Sequence, residues 1–172
     1  MRIFFYMLGI VIANVITAMF APIQLGLLLI PAGTFLIGAT FILRDLVQER
    51  YGKKKTYLII GITLVISAIS SVFLGDILAI TIASAISFLV SELTDTEIYS
   101  RMKTTFAKRV LVSGLVGGTL DSIIFVIIGL SPLLTNMLTW QMVPYAIIGQ
   151  LLMKAVMQIL GVGVIKLFIK NR

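Results

Sequence analysis

Long apolar runs separated by short polar or charged segments dominate the chain, and none alternates with the period of two expected of a lipid-facing barrel strand. The first run goes from about Ile3 to Ala21. Pro22 and Gln24 turn it into a second, about Leu25 to Leu43, which Pro31-Ala32-Gly33-Thr34 interrupts. A charged stretch, Arg44 to Lys55, precedes a third run from about Tyr57 to Leu74. Gly75-Asp76 is the next turn, and a fourth run rich in Ser and Ala covers about Ile77 to Leu93. A loop over Thr94 to Lys108 leads to a fifth, about Val110 to Leu130. A polar hairpin with Ser131-Pro132, Asn136 and Trp140-Gln141 then precedes the last run, about Met142 to Ile169. A hydrocarbon core about 30 Å thick takes about 20 apolar residues as helix. The pattern therefore predicts an all-α, polytopic integral membrane protein: one domain over 1–172, with six transmembrane helices at about 3–21, 25–43, 57–74, 77–93, 110–130 and 142–169. Arg2 alone is a weak n-region with no polar cleavage zone behind it, so the first run reads as a span and not as a cleaved signal.

Composition narrows the function classes. Of 172 residues 59% are hydrophobic and only 12% charged, and mean hydropathy is +1.12. That is too little polar side chain to cover a soluble globule, and six spans leave no room for a folded soluble domain. Cys and His are both absent, which removes disulfides, thiolate and imidazole metal ligands and histidine acid–base chemistry, so no metal and no cofactor is expected. The net charge of +7 sorts along the chain. Arg2, the Arg44–Lys55 and Arg101–Arg109 segments, and Lys166, Lys170 and Arg172 fall on one side of a six-span topology, while the opposite loops hold no Lys or Arg. The positive-inside rule makes that side, with both termini, cytoplasmic. Basic residues that flank spans form no nucleic-acid patch. Lys154 is the one basic residue that orientation does not explain.

An ionisable side chain in mid-span costs about 2.5–3.5 kcal/mol even on the mild insertion scale, so it calls for a partner or a purpose. Asp121 is midway along the fifth run and Lys154 midway along the sixth; Glu92 and Asp45 lie nearer the cytoplasmic ends of the fourth and second. Helical spacing groups further polar residues with them. Gln150, Lys154 and Gln158 recur every four residues, as do Ser113, Gly117 and Asp121 with Ser122 alongside; Ser84, Ser87, Ser91 and Asp95 make a third stripe, and Asn14 and Thr17 a smaller patch. Such stripes imply an interior that holds water, an ion or a polar solute. The structural reading stands beside this one: Asp121 and Lys154 neutralise each other, the serines with Gly114 and Gly118 are close-packing positions, and Asp45, Glu49 and Arg50 form a solvated interfacial cluster. Pro31-Ala32-Gly33 either kinks the second helix or exposes backbone to a substrate.

Several segments together resemble a known group. Ala13-Asn14, Pro31-Ala32-Gly33-Thr34-Phe35, Asp45-Leu46-Val47-Gln48-Glu49-Arg50-Tyr51-Gly52-Lys53-Lys54 and Ser91-Glu92-Leu93-Thr94-Asp95 with Tyr99 and Arg101 look like the vitamin uptake transporter family of queuosine-precursor transporters. Arg109, Ser113, Asp121-Ser122 and Phe125 resemble its R-x(3)-S-x(7)-D-[ST]-x(2)-F pattern, and Lys154 the lysine of its last span. The chain departs from that pattern at Gln48, where Ser is frequent, and at Gly118, where Asn or Gln is usual. The resemblance implies a six-helix importer of 7-deazaguanine bases such as preQ0 or preQ1 in a bacterial-type cytoplasmic (inner) membrane, serving salvage of the tRNA nucleoside queuosine. A guanine-like edge offers N–H donors to a carboxylate and a carbonyl to an amide or ammonium. On that reading Glu92 or Asp121 takes the donor edge, with Ser122 beside it. Lys154, Gln150 and Asn14 contact acceptors, Phe35 or Phe125 stacks on the purine-like ring, and Asp45 and Arg109 belong to an interfacial, gating motif.

Three other readings compete, one of them a purely structural or regulatory membrane subunit, against which the mid-span Asp and Lys and the polar stripe argue. A substrate-binding subunit of an energy-coupling-factor importer is also a small six-helix protein, but it needs a partner ATPase module. An intramembrane aspartyl enzyme needs carboxylates in a protease context, which Asp45, Glu92 and Asp121 do not have. For an autonomous carrier of six helices, a homodimer or whole-helix rocking would supply alternating access.

Overall fold

A computed structural model describes residues 1–170, with side chains through residue 164. Among the described residues the chain forms α1 (Arg2–Met19), β1 (Ile23–Leu25), β2 (Leu28–Ile30), α2 (Thr34–Tyr51), α3 (Lys53–Phe73), α4 (Leu78–Arg101), α5 (Phe106–Phe125) and α6 (Val143–Lys170). A π-helical turn, Val126–Leu130, continues α5. Lys166, Lys170 and Arg172, expected on the basic side, lie outside the described side chains.

Five helices are long and apolar enough to cross a membrane, the fifth running from Phe106 to Leu130 through the π-helical turn. The exception is α2, and here the expected second span needs correction. Its first half is no helix: β1 and β2 pair antiparallel, Ile23 opposite Ile30 and Leu25 opposite Leu28. Gly26 at φ +61° opens the two-residue turn while Leu27 keeps a negative φ, the signature of a type II′ hairpin. Pro31 and Gly33 separate the hairpin from the helix, and Gly33 sits so close to the Ala13 carbonyl and the Thr17 hydroxyl of α1 that a Cβ would collide with both. The segment Arg44–Tyr51, expected as loop, is the second half of α2. Only Gly52, at φ +79°, breaks it from α3. Likewise α4 continues through Arg101, taking in the first part of the expected Thr94–Lys108 loop.

The helices close into a ring in the order α1–α2–α6–α5–α4–α3, with α3 returning to α1, and α2 also reaches inward to touch α3, α4 and α5. Thus α2 meets all five other helices. At about 1.5 Å per residue its 18 residues extend about 27 Å, and its buried face is largely polar: Thr40, Arg44, Asp45 and Gln48. The outer surface is apolar, with Phe4, Leu58, Ile69, Phe73, Leu78 and Leu152 exposed. This inversion of the soluble pattern is what a bilayer selects, and the chain is a multi-pass membrane protein.

Candidate functional site

Small residues on α5 let the polar groups meet. A Cβ at Gly114 would run into the Gln158 amide of α6, one at Gly117 would meet Asp95 Cβ at 3.0 Å, and one at Gly118 would stand 3.6 Å from Lys154 Cβ. Gly38 does the same for α2, where a Cβ would lie 2.8 Å from Met157 Cβ. Without these glycines α2, α4 and α6 could not converge on α5 at one level.

Two buried charged groups result. In the first, Lys154 Nζ donates to Asp121 Oδ2 at 2.6 Å, to Ser122 Oγ at 2.8 Å and to Gln150 Oε1 at 3.4 Å. Ser122 Oγ in turn donates to the Gly118 carbonyl at 2.8 Å. The Gln150 amide nitrogen is buried with no hydrogen-bond partner. One turn further along α6, Gln158 Nε2 donates to the Val110 carbonyl at 2.6 Å. Gln150, Lys154 and Gln158 are all buried; a groove between α5 and α6, lined by Gly114, Gly118, Thr119, Leu151, Lys154 and Ala155, leads to the lysine.

The second group is centred on Arg44, which is fully buried. Its Nη1 lies 3.0 Å from Asp45 Oδ1, its Nε 3.1 Å from Glu92 Oε2, and its Nη2 pairs with Asp95. Nη1 also donates to Gln48 Oε1 at 2.8 Å and to Thr96 Oγ1 at 3.3 Å. Gln48 Nε2 in turn reaches the Thr96 carbonyl at 3.1 Å and Ser100 Oγ at 2.8 Å. The Tyr6 hydroxyl of α1 faces Glu92, and the Ser113 hydroxyl of α5 faces Asp95. Both hydroxyls are buried, and neither meets its carboxylate in full hydrogen-bond geometry. Phe41, 2% exposed, adjoins both groups: its ring edge is 3.2 Å from where a Gly117 Cβ would be, which Asp95 also approaches, and 3.8 Å from a Gly118 Cβ, which Lys154 approaches.

The other expected site residues are placed differently. Asn14 turns to α3, donating to Ser70 Oγ at 2.9 Å and Ser67 Oγ at 3.0 Å. Phe35 and Phe125 are half-buried, and Phe125 packs against Gly129 of the π-helical turn. Arg109 is at the charged end of the bundle, where its guanidinium lies 4.5 Å over the Tyr99 ring and donates to Glu49 Oε2 at 3.1 Å; Tyr99 donates to the same oxygen at 2.6 Å.

Two expectations are corrected. Asp45 does not share a solvated interfacial cluster with Glu49 and Arg50: it is 0% exposed, because α2 carries it inside. Arg44 is more than an orienting charge, since three carboxylates enclose it. The signal in the sequence was its spacing. Thr40, Arg44 and Gln48 recur every four residues, continuing the buried face of α2 into what reads as a charged loop.

Comparison with known proteins agrees with this architecture. A family model described as "Putative vitamin uptake transporter" matches residues 70–168, which takes in α4, α5 and α6 with Glu92, Asp95, Asp121 and Lys154. No curated protein and no solved structure gives a significant match. The match covers more than half of the chain, and the chain belongs to the vitamin uptake transporter family.

Proposed function

We propose that the protein imports queuosine precursors, 7-deazaguanine bases such as preQ0 and preQ1, across a bacterial-type inner membrane, with six membrane-crossing helices and both termini cytoplasmic. The observation that carries this reading is the Lys154–Asp121–Ser122–Gln150 group. It is buried between α5 and α6, it offers donors and acceptors side by side, and its Gln150 amide is still unpartnered. A guanine-like edge supplies the complementary set: N1–H and the exocyclic amine donate to Asp121, and the ring carbonyl accepts from Lys154 or Gln150. In this scheme the base inserts between Lys154 and Asp121, replacing one charge-assisted contact by two. Glu92, already engaged by Arg44, serves in its ionised form as the second carboxylate that the aminomethyl cation of preQ1 requires. Phe41, which adjoins both groups, joins Phe35 and Phe125 as a stacking candidate, and Asn14 fixes α1 against α3 beside the path. Arg109 acts at the charged end of the bundle as a gate, with Asp45 buried behind it on α2. A homodimer would give six helices a second body to move against.

Uptake of radiolabelled preQ0, preQ1 and queuine into cells lacking salvage tests the reading. Wild-type protein restores uptake and Asp121→Asn abolishes it. Unchanged uptake in both Asp121→Asn and Glu92→Gln would sink the assignment. Dependence on a co-purifying ATPase module would move the protein to the energy-coupling-factor class.

A further inference from the structure

The charges around Arg44 do not balance. Asp45, Glu92 and Asp95 face one guanidinium, and all four side chains are at most 2% exposed. Among the described side chains no second cation pairs with these carboxylates, although Arg109 of α5 acts on Asp45 from further off. Tyr6 comes from α1. On α5, Arg109 is committed to Glu49 at 3.1 Å, and Asp121, which also faces Glu92, is committed to Lys154 of α6 at 2.6 Å. On α3, Lys53 and Tyr57 meet α4 only at Glu97. If all three carboxylates were ionised, two buried negative charges would be left over in a low-dielectric interior, where like charges disfavour ionisation strongly.

A second observation comes from the groups around the cluster. The Tyr6 and Ser113 hydroxyls are buried and reach toward Glu92 and Asp95 without full hydrogen-bond geometry, and Glu92 Oε2 and both oxygens of Asp45 and of Asp95 likewise have no well-formed hydrogen bond. The cluster thus has donors and acceptors in excess of its bonds. The guanidinium already fills the space between the carboxylates, at 3.0 Å from Asp45 and 3.1 Å from Glu92, which leaves no shell for a metal ion. A proton needs no such space.

We propose that the Arg44–Asp45–Glu92–Asp95 cluster is a proton-binding site whose protons are exchanged during transport. Asp95, on which both the Arg44 guanidinium and the Ser113 hydroxyl converge, stays ionised. Asp45 and Glu92 carry the protons, since Asp45 shares Nη1 with Gln48 and Thr96, and Glu92 lies beside Tyr6. Carboxyl groups inside a membrane bundle serve as relays by this logic. Protons enter from one face when the bundle opens and leave to the other, so an inward proton gradient drives uptake.

The coupling rests on the transport reading, but the proton site does not, and the experiment separates them. Infrared spectra of the full chain in nanodiscs, titrated with pH, should show protonated carboxyl groups at neutral pH, with part of that band lost in Asp45→Asn and another part in Glu92→Gln. Absence of the band in the wild type overturns the proposal without relying on any variant to fold. In proteoliposomes, an imposed inward proton gradient should raise preQ1 uptake severalfold, and Asp45→Asn should lose that response. Uptake driven by a sodium gradient and indifferent to protons overturns the coupling. If no uptake of preQ0, preQ1 or queuine occurs, the substrate reading falls, and the infrared band still decides the proton site.

Discussion

Lys154 illustrates how a buried charge depends on its partner. With Asp121 it forms a pair held by three contacts, so Lys154→Met leaves a carboxylate buried and unpaired, at a cost of about 3–5 kcal/mol. The lower Tm expected in detergent should largely recover when Asp121→Leu is added, because replacing both charges by apolar groups removes the unpaired one. Direct binding of preQ0, preQ1 and queuine separates this from function: equal affinity in Lys154→Met would take the lysine out of the site. Arg44 has a stricter requirement. Its planar fork contacts three carboxylates on two helices, which a single ammonium cannot reproduce. Arg44→Lys should therefore reduce the yield of monodisperse protein in size-exclusion chromatography, whereas Arg50→Lys at an exposed position should not. Asp121 and Lys154 were legible in the sequence because each interrupts an apolar run. Arg44 was not, because it adjoins Asp45 and a stretch of solvated charges, and a one-dimensional pattern does not tell where a helix leaves the membrane.

Among the elements, five apolar runs became helices close to where the pattern placed them, since length and hydropathy suffice for that. The hairpin was illegible for a physical reason: Leu25–Ile30 has the same composition as a membrane helix, and a short apolar run has no period that separates strand from helix. Gly26 sets its turn. Gly26→Val places a branched side chain at a positive φ, costs about 1–2 kcal/mol, and should increase protease cleavage between α1 and α2. Helix packing makes a second prediction. Gly114→Ala puts a methyl on the Gln158 amide and displaces its bond to the Val110 carbonyl, at about 1–3 kcal/mol of overpacking. Its Tm should fall, whereas Gly163→Ala, where a Cβ meets open space, should leave it nearly unchanged.

For the whole molecule, the closed ring means that no helix is optional, and α2 shows what this implies for synthesis. A helix with buried Arg and Asp cannot rest alone in lipid. One long wall of its enclosure is α6, which emerges after the other five helices described. Until then α2 has only α1 and the middle helices for cover, so a nascent chain stopped near residue 141 should leave α2 outside the hydrocarbon or in the hands of a membrane chaperone. Cysteine accessibility at position 44 or 48, in chains cut before and after α6, should fall sharply once α6 is present. The polar centre on which transport would depend is thus completed only when α6 joins the bundle, and a copy cut before α6 should be held back as an assembly intermediate instead of becoming a leaking pore.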